Sequence, residues 1–145
     1  MDGAPPHADL AGVCIDAQPI AVDRYEPLPE ALSVIGPERR ETLFTRLFRS
    51  VCPVTGQPDY ACVQIDYRGL RIDRAGLLRY LVSFRRHPGF HEHCVERIFA
   101  DVRRRCQPET LSVYARFTRR GGLDINPYRS SSGGSPPAHV RTARQ

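Results

Sequence analysis

The chain predicts an α+β domain, on three observations. From residue 60 onward, stretches of alternating apolar residues flank two stretches whose apolar residues recur every three to four positions, giving the order strand, strand, helix, helix, strand, strand (ββααββ). An antiparallel four-stranded sheet with both helices on one face buries the apolar sides of all six elements. A chain of 145 residues, 41% hydrophobic and 26% charged, suits one soluble domain with a core of its own.

Taken in order, residues 1–11 are rich in Pro, Ala and Asp without periodicity and read as a flexible leader. Ile20 and Val22 alternate with Ala21 and Asp23, which predicts a short edge strand that Pro27 and Pro29 break. Residues 38–49 read as a helix: Pro37 stands at its start, acidic residues lie in its first turn, and Leu43 and Leu47, Phe44 and Phe48 recur at helical spacing. Residues 50–59 hold two prolines and a glycine and form a loop. Residues 60–67 alternate with Ala61, Val63, Ile65 and Tyr67 on one face, and Arg68-Gly69 reverses the chain into a short strand over 70–72.

Asp73 is the predicted N-cap of a helix reaching about residue 86, with Leu77, Tyr80, Leu81 and Phe84 in one stripe. His87-Pro88-Gly89 ends it, and a second helix runs over 90–106 until Pro108. Leu111, Val113, Ala115 and Phe117 mark the next strand, and Gly121-Gly122 turns it into a last strand over 123–126. The folded domain is set at 12–129, with a Ser/Gly/Pro-rich flexible tail at 130–145.

Composition narrows the function. No window reaches the roughly 18 apolar residues of a membrane span, and the first residues lack the pattern of a secretory signal, so a cytoplasmic protein is expected. Five cysteines without CxxC spacing are expected to be thiols. The net charge of +5 suits phosphate-bearing partners only weakly, and Arg103-Arg104-Arg105 reads as a solvated helix face. His87, His91, His93 and Cys94 lack zinc spacing, and Pro88 interrupts the set, so no metal is expected.

The chemistry centres on the 50–59 loop, where Cys52 precedes a proline and Asp59 follows seven residues later. On the residues alone, a lone cysteine in a proline-rich loop is a spectator, and the negative end of a preceding helix disfavours a thiolate. Read the same way, Glu92 complements a helix N-terminus, His91 caps or packs, and Arg120-Gly121 is part of a hairpin.

Four separated motifs shift that balance: Cys52-Pro53-Val54-Thr55-Gly56-Gln57-Pro58-Asp59, Ser83-Phe84-Arg85, Phe90-His91-Glu92, and the run from Phe117 through Arg119-Arg120-Gly121-Gly122 to Pro127. Together they resemble the NADPH-dependent nitrile reductases that convert 7-cyano-7-deazaguanine (preQ0) to its aminomethyl product (preQ1) in queuosine tRNA modification. These are tunnelling-fold proteins, and the likeness is greatest to the C-terminal module of the two-module form. The resemblance implies that Cys52 is the nucleophile that forms a thioimide and Asp59 the proton donor. It implies that His91 and Glu92 bind the deazapurine, that Arg120 and Gly121 contact NADPH, and that sheets close into barrels between subunits, with sites at the interfaces. The partners implied are a small-molecule deazapurine and either further copies of the chain or a separate N-terminal-type module, with no membrane and no direct nucleic-acid contact.

One departure stands out. Where single-module relatives carry an acidic-Ser-Lys-Ser-x-Lys motif for NADPH, this chain reads Asp73-Arg74-Ala75-Gly76-Leu77-Leu78. Either a separate polypeptide supplies the missing module, or the chain is a fragment or split product, or it captures the nitrile without reducing it; beside the reductase stand two alternatives, an amidinotransferase-like enzyme acting on a nitrile in tRNA and a non-catalytic deazapurine-binding or assembly subunit.

Overall fold

A computed structural model describes residues 12–118 and 125–131. Five strands form one sheet in the order β1-β2-β3-β4-β5: Val13–Cys14, Val34–Val51, Pro58–Ile72, Thr110–Phe117 and Tyr128–Ser130. Two α-helices, α1 (Arg74–Val82) and α2 (His91–Cys106), lie between β3 and β4, and 3-10 turns occupy Pro29–Ala31 and Ser83–Arg86. The α+β class therefore stands, with a five-stranded sheet among the described residues where the sequence predicts a four-stranded one. β2 to β5 are antiparallel neighbours and β1 pairs parallel to β2.

One apolar cluster joins Ala61, Val63 and Ile65 of β3 and Val113 of β4 to Leu81 of α1 and Ile98 of α2, so both helices cover the same face. Phe44 and Cys62 form a small separate cluster on the opposite face.

The predicted helix over 38–49 is instead the middle of the long strand β2. Leu43 and Phe48 are fully buried in the main cluster, Phe44 points to the other face, and Leu47 is 43% exposed. A bulge explains the misleading spacing: Thr45 faces Val63 while Phe48 faces Ala61, so β2 carries one extra residue. Two strand faces joined through that bulge mimic a helical stripe, and the long-range ladder with β3 decides the outcome. Asp16 fixes the bulge by accepting hydrogen bonds from Thr45 Oγ1 and from the Arg46 N–H, the latter at 3.0 Å.

Two further expectations are corrected. β3 runs straight through Arg68-Gly69, still paired with Arg40 and Arg39. Gly69 is needed for close approach, because a Cβ there would lie 2.9 Å from Pro108 Cα. Ile20 and Val22 form no strand; the edge strand is Val13–Cys14, paired with Leu43 and Phe44. Of the strand predicted over 123–126, residues 123 and 124 lie outside the described residues, and Ile125 and Asn126 are irregular.

The helices follow their signals. The Asp73 carboxylate accepts from the Gly76 N–H at 3.2 Å and caps α1. Below it, Tyr67 donates to Glu41 and accepts from the Ile72 N–H, while Arg74 reaches Glu41 at 2.8 Å. Burial alone would raise the Glu41 carboxyl, but the bonds from Tyr67 and Arg74 hold it below the ordinary carboxylate range.

Candidate active site

The 50–59 loop is the turn of a β-hairpin. Val51 pairs with Pro58 and Ser50 with Asp59, so Cys52 and Asp59, seven residues apart in sequence, meet at the end of one ladder. The Cys52 N–H donates to the Gln57 carbonyl at 2.8 Å and the Gly56 N–H to the Cys52 carbonyl at 2.9 Å. Gly56 takes φ +75°, a conformation that glycine adopts without strain. Because the strand β2 and not a helix leads into Cys52, the unfavourable dipole expected from the sequence is absent.

The same strand end holds α2 in place. The Val51 N–H donates to the His87 carbonyl at 2.9 Å, and the Gly89 N–H donates to the Val51 carbonyl at 3.0 Å. Gly89 is tight against its surroundings: a Cβ would come within 3.3 Å of Cys94 Sγ and 3.2 Å of the His87 ring. Phe90 then caps α2 with extended geometry, so His91 and Glu92 open the helix beside Cys52.

His91 is 5% exposed and stacks on Phe117, with ring centroids 3.8 Å apart and planes 5° from parallel. Its Nε2 lies 3.3 Å from Asp59 Oδ2, close enough for an electrostatic contact, yet both ring nitrogens lack a hydrogen-bond partner among the described residues. Buried polar atoms left unpaired are rare and costly, and here they border a cavity of about 120 Å³. Cys52, Asp59, His91, Glu92, Phe90 and Ile125 are among its lining residues. Four of the sequence-predicted site residues are thus brought together; Arg120 and Gly121 lie outside the described residues.

Sequence reasoning overlooked three contributors. Phe117 is the platform for His91, Phe90 forms part of the wall, and the fully buried Ser50 lies opposite Asp59. Burial pushes the Cys94 thiol up to about 11, with the nearby Ser50 hydroxyl working against it and the charges of Asp59 and Glu92 adding to it. The signal for Ser50 was strand parity: once β2 is read as a strand, Ser50 falls opposite Asp59. The Ser83-Phe84-Arg85 motif acts structurally instead. Ser83 Oγ accepts from the Leu28 N–H at 3.1 Å, Phe84 is fully buried in the core, and the Arg85 guanidinium sits 5.7 Å from the Tyr25 ring centroid.

No group of three metal-ligating side chains occurs among the described residues, and no described helix is long and apolar enough to cross a membrane.

Residues 58–135 match the family model described as QueF-like protein. An NADPH-dependent 7-cyano-7-deazaguanine reductase of Bordetella avium is 62% identical over 138 residues, which cover 94% of this chain and 50% of that protein. The enzyme of the same name from Chromobacterium violaceum is 60% identical, covering 95% of this chain and 50% of that one. The chain thus spans about half the length of the curated relatives it matches. In three dimensions, the crystal structure of an apo archaeosine synthase QueF-Like is similar, with a TM-score of 0.58 at 20% identity over 70% of this chain and 100% of that one. At that identity the likeness concerns the fold, the tunnelling fold.

Proposed function

The chain belongs to the QueF-like protein family, and from that premise we propose that it is the nitrile-binding half of an NADPH-dependent 7-cyano-7-deazaguanine reductase acting in queuosine biosynthesis. The observation that carries this reading is the cavity where a buried thiol, a buried carboxyl and an imidazole with unpaired nitrogens converge at the end of one hairpin.

Each side chain has a task. The Cys52 S–H proton passes to the Asp59 carboxylate as the sulfur forms a bond to the nitrile carbon, one π bond of the C≡N group opens, and its electron pair goes to nitrogen. Asp59 delivers the proton that this nitrogen takes, leaving a neutral thioimide. His91, held flat by Phe117, supplies a ring nitrogen to the bound molecule, and Glu92 accepts hydrogen bonds from the ring N–H and amine of the deazapurine.

Two molecules of NADPH, bound in succession, would supply the two hydrides of the full reaction. The Cys52 cavity does not by itself form a dinucleotide site. The cavity of about 120 Å³ is far below that of a cofactor pocket. At α1, Asp73 already satisfies an N-terminal N–H and Arg74 is engaged by Glu41. We therefore assign the nucleotide site to a partner module or copy, acting together with Arg120 and Gly121. The sheet supports such an assembly: β1 covers only two residues of β2, and Ile35 and Leu47 are 57% and 43% exposed along that strand. Closure into a barrel between subunits, in the cytoplasm, follows from this reading.

The departure from the NADPH motif at residues 73–78 also favours a second reading, nitrile capture without reduction. Intact-mass measurement tests the shared step: incubation with 7-cyano-7-deazaguanine should add one substrate mass, and Cys52→Ala should show none. An adduct of equal yield in Cys52→Ala would refute the assignment. NADPH oxidation, measured on the chain alone and with an N-terminal-type module, separates reduction from capture.

A further inference from the structure

The sheet face turned away from the helices carries a second polar cavity, of about 200 Å³, lined by Arg40, Asp66, Arg68, Thr110 and Ser112. It lies seven residues along β3 from Asp59, about 23 Å at strand rise, so it is separate from the Cys52 cavity. Its residues come from three strands and share one face: Arg40 pairs with Arg68 and Arg68 with Thr110, while Thr42, Asp66, Ser112 and Ser130 form the next row.

Two features of this row are unfavourable for the chain by itself. Arg40 and Arg68 are direct cross-strand partners, and like charges placed so repel. Arg40 makes no hydrogen bond or ion pair among the described residues, and Arg68 has only a loose contact to Glu109 at 3.6 Å with both side chains more than half exposed. Asp66, two residues from Arg68, likewise makes no hydrogen bond or ion pair among the described residues. The hydroxyls of Ser112, Ser130 and Tyr128 are linked to one another at 3.3 and 3.4 Å, forming a polar floor beside the arginines.

We propose that this cavity binds a phosphate monoester, with Arg40 and Arg68 clamping the dianion and Asp66 accepting a hydroxyl of the sugar that carries it. Two forks of guanidinium donors suit a phosphate dianion, which removes their repulsion. A carboxylate beside a bare phosphate would repel it, so Asp66 is useful only when the ligand also brings O–H donors. The volume favours a small sugar phosphate over a dinucleotide. The proposal is independent of the nitrile chemistry.

Calorimetric titration of the full chain at low salt, with inorganic phosphate, ribose 5-phosphate and ribose as probes, tests it. Both phosphates should bind, ribose 5-phosphate more tightly, and ribose alone should not. Arg40→Ala should weaken phosphate binding by about tenfold or more, and Arg40→Lys should restore part of it. Asp66→Asn should spare inorganic phosphate and abolish the preference for the sugar ester. Because Arg40 supports no contact, Arg40→Ala should fold as the parent does, which circular dichroism checks, and Cys52→Ala should leave all three titrations unchanged. Equal phosphate affinity in the parent and Arg40→Ala would overturn the site. A preference for ribose 5-phosphate that survives Asp66→Asn would overturn the role of the carboxylate.

Discussion

Replacing Asp59 by Asn is the sharpest probe of the proposed proton transfer. Asparagine matches the carboxylate in shape, so the hairpin pairing of Ser50 with position 59 and the packing against His91 survive, and no void opens. What disappears is the ionisable proton. Asp59 is 5% exposed, so bulk water has little access to replace it as the acid. Loss of a positioned general acid costs about 10² to 10⁴ in rate, equivalent to about 2.7 to 5.5 kcal/mol of barrier, and burial places this site toward the upper half. The assay is the time course of thioimide formation followed by intact mass across a range of 7-cyano-7-deazaguanine concentrations. The maximal rate should fall by the stated factor, with half-saturation changed by less than about threefold. Equal losses in rate and half-saturation would refute the proton-donor role and make Asp59 a binding group.

Tyr67→Phe should destabilise the fold by about 1–3 kcal/mol, because it leaves the Ile72 N–H unpaired and takes a donor from Glu41; urea unfolding measures this. Burial, together with the bond to Glu41, pushes Tyr67 up to about 12. A group raised on folding contributes stability that is complete below its unfolded value near 10 and is lost as pH climbs through about 12. The parent should therefore lose more stability than Tyr67→Phe between those limits, and parallel pH profiles would contradict the network. Native alkylation should label exposed Cys14 well before Cys94 and Cys106, whose thiols burial pushes up to about 11. Peptide mapping after brief iodoacetamide treatment checks the order, and early labelling of Cys94 would count against its packing.

The elements that local chemistry determines were legible in the sequence. Asp73 announced α1, Pro108 ended α2, and the alternation from Ala61 to Tyr67 gave the central strand its faces. β2 was not legible, because its bulge makes Leu43, Phe44, Leu47 and Phe48 imitate a helical stripe and only pairing with a distant segment removes the ambiguity. Gly69 misled for a related reason: it serves the neighbouring Pro108 across space, which no local pattern records. Cys52, Asp59, His91 and Glu92 were found through motifs and then joined by the hairpin and the Val51 contacts. Ser50 became visible only with the correct parity of β2, and the role of Phe117, already on a predicted strand, only with the stacking of His91 on it.

Val51 carries two loyalties: it is registered with Pro58 in the hairpin, while its own N–H and carbonyl grip His87 and Gly89 ahead of α2. Thermal breathing at this residue therefore cannot free the sulfur-bearing turn while the histidine helix stays docked. The two halves of the cavity are therefore expected to open to solvent as one unit, with amide exchange at Val51 and Gly89 on a common timescale.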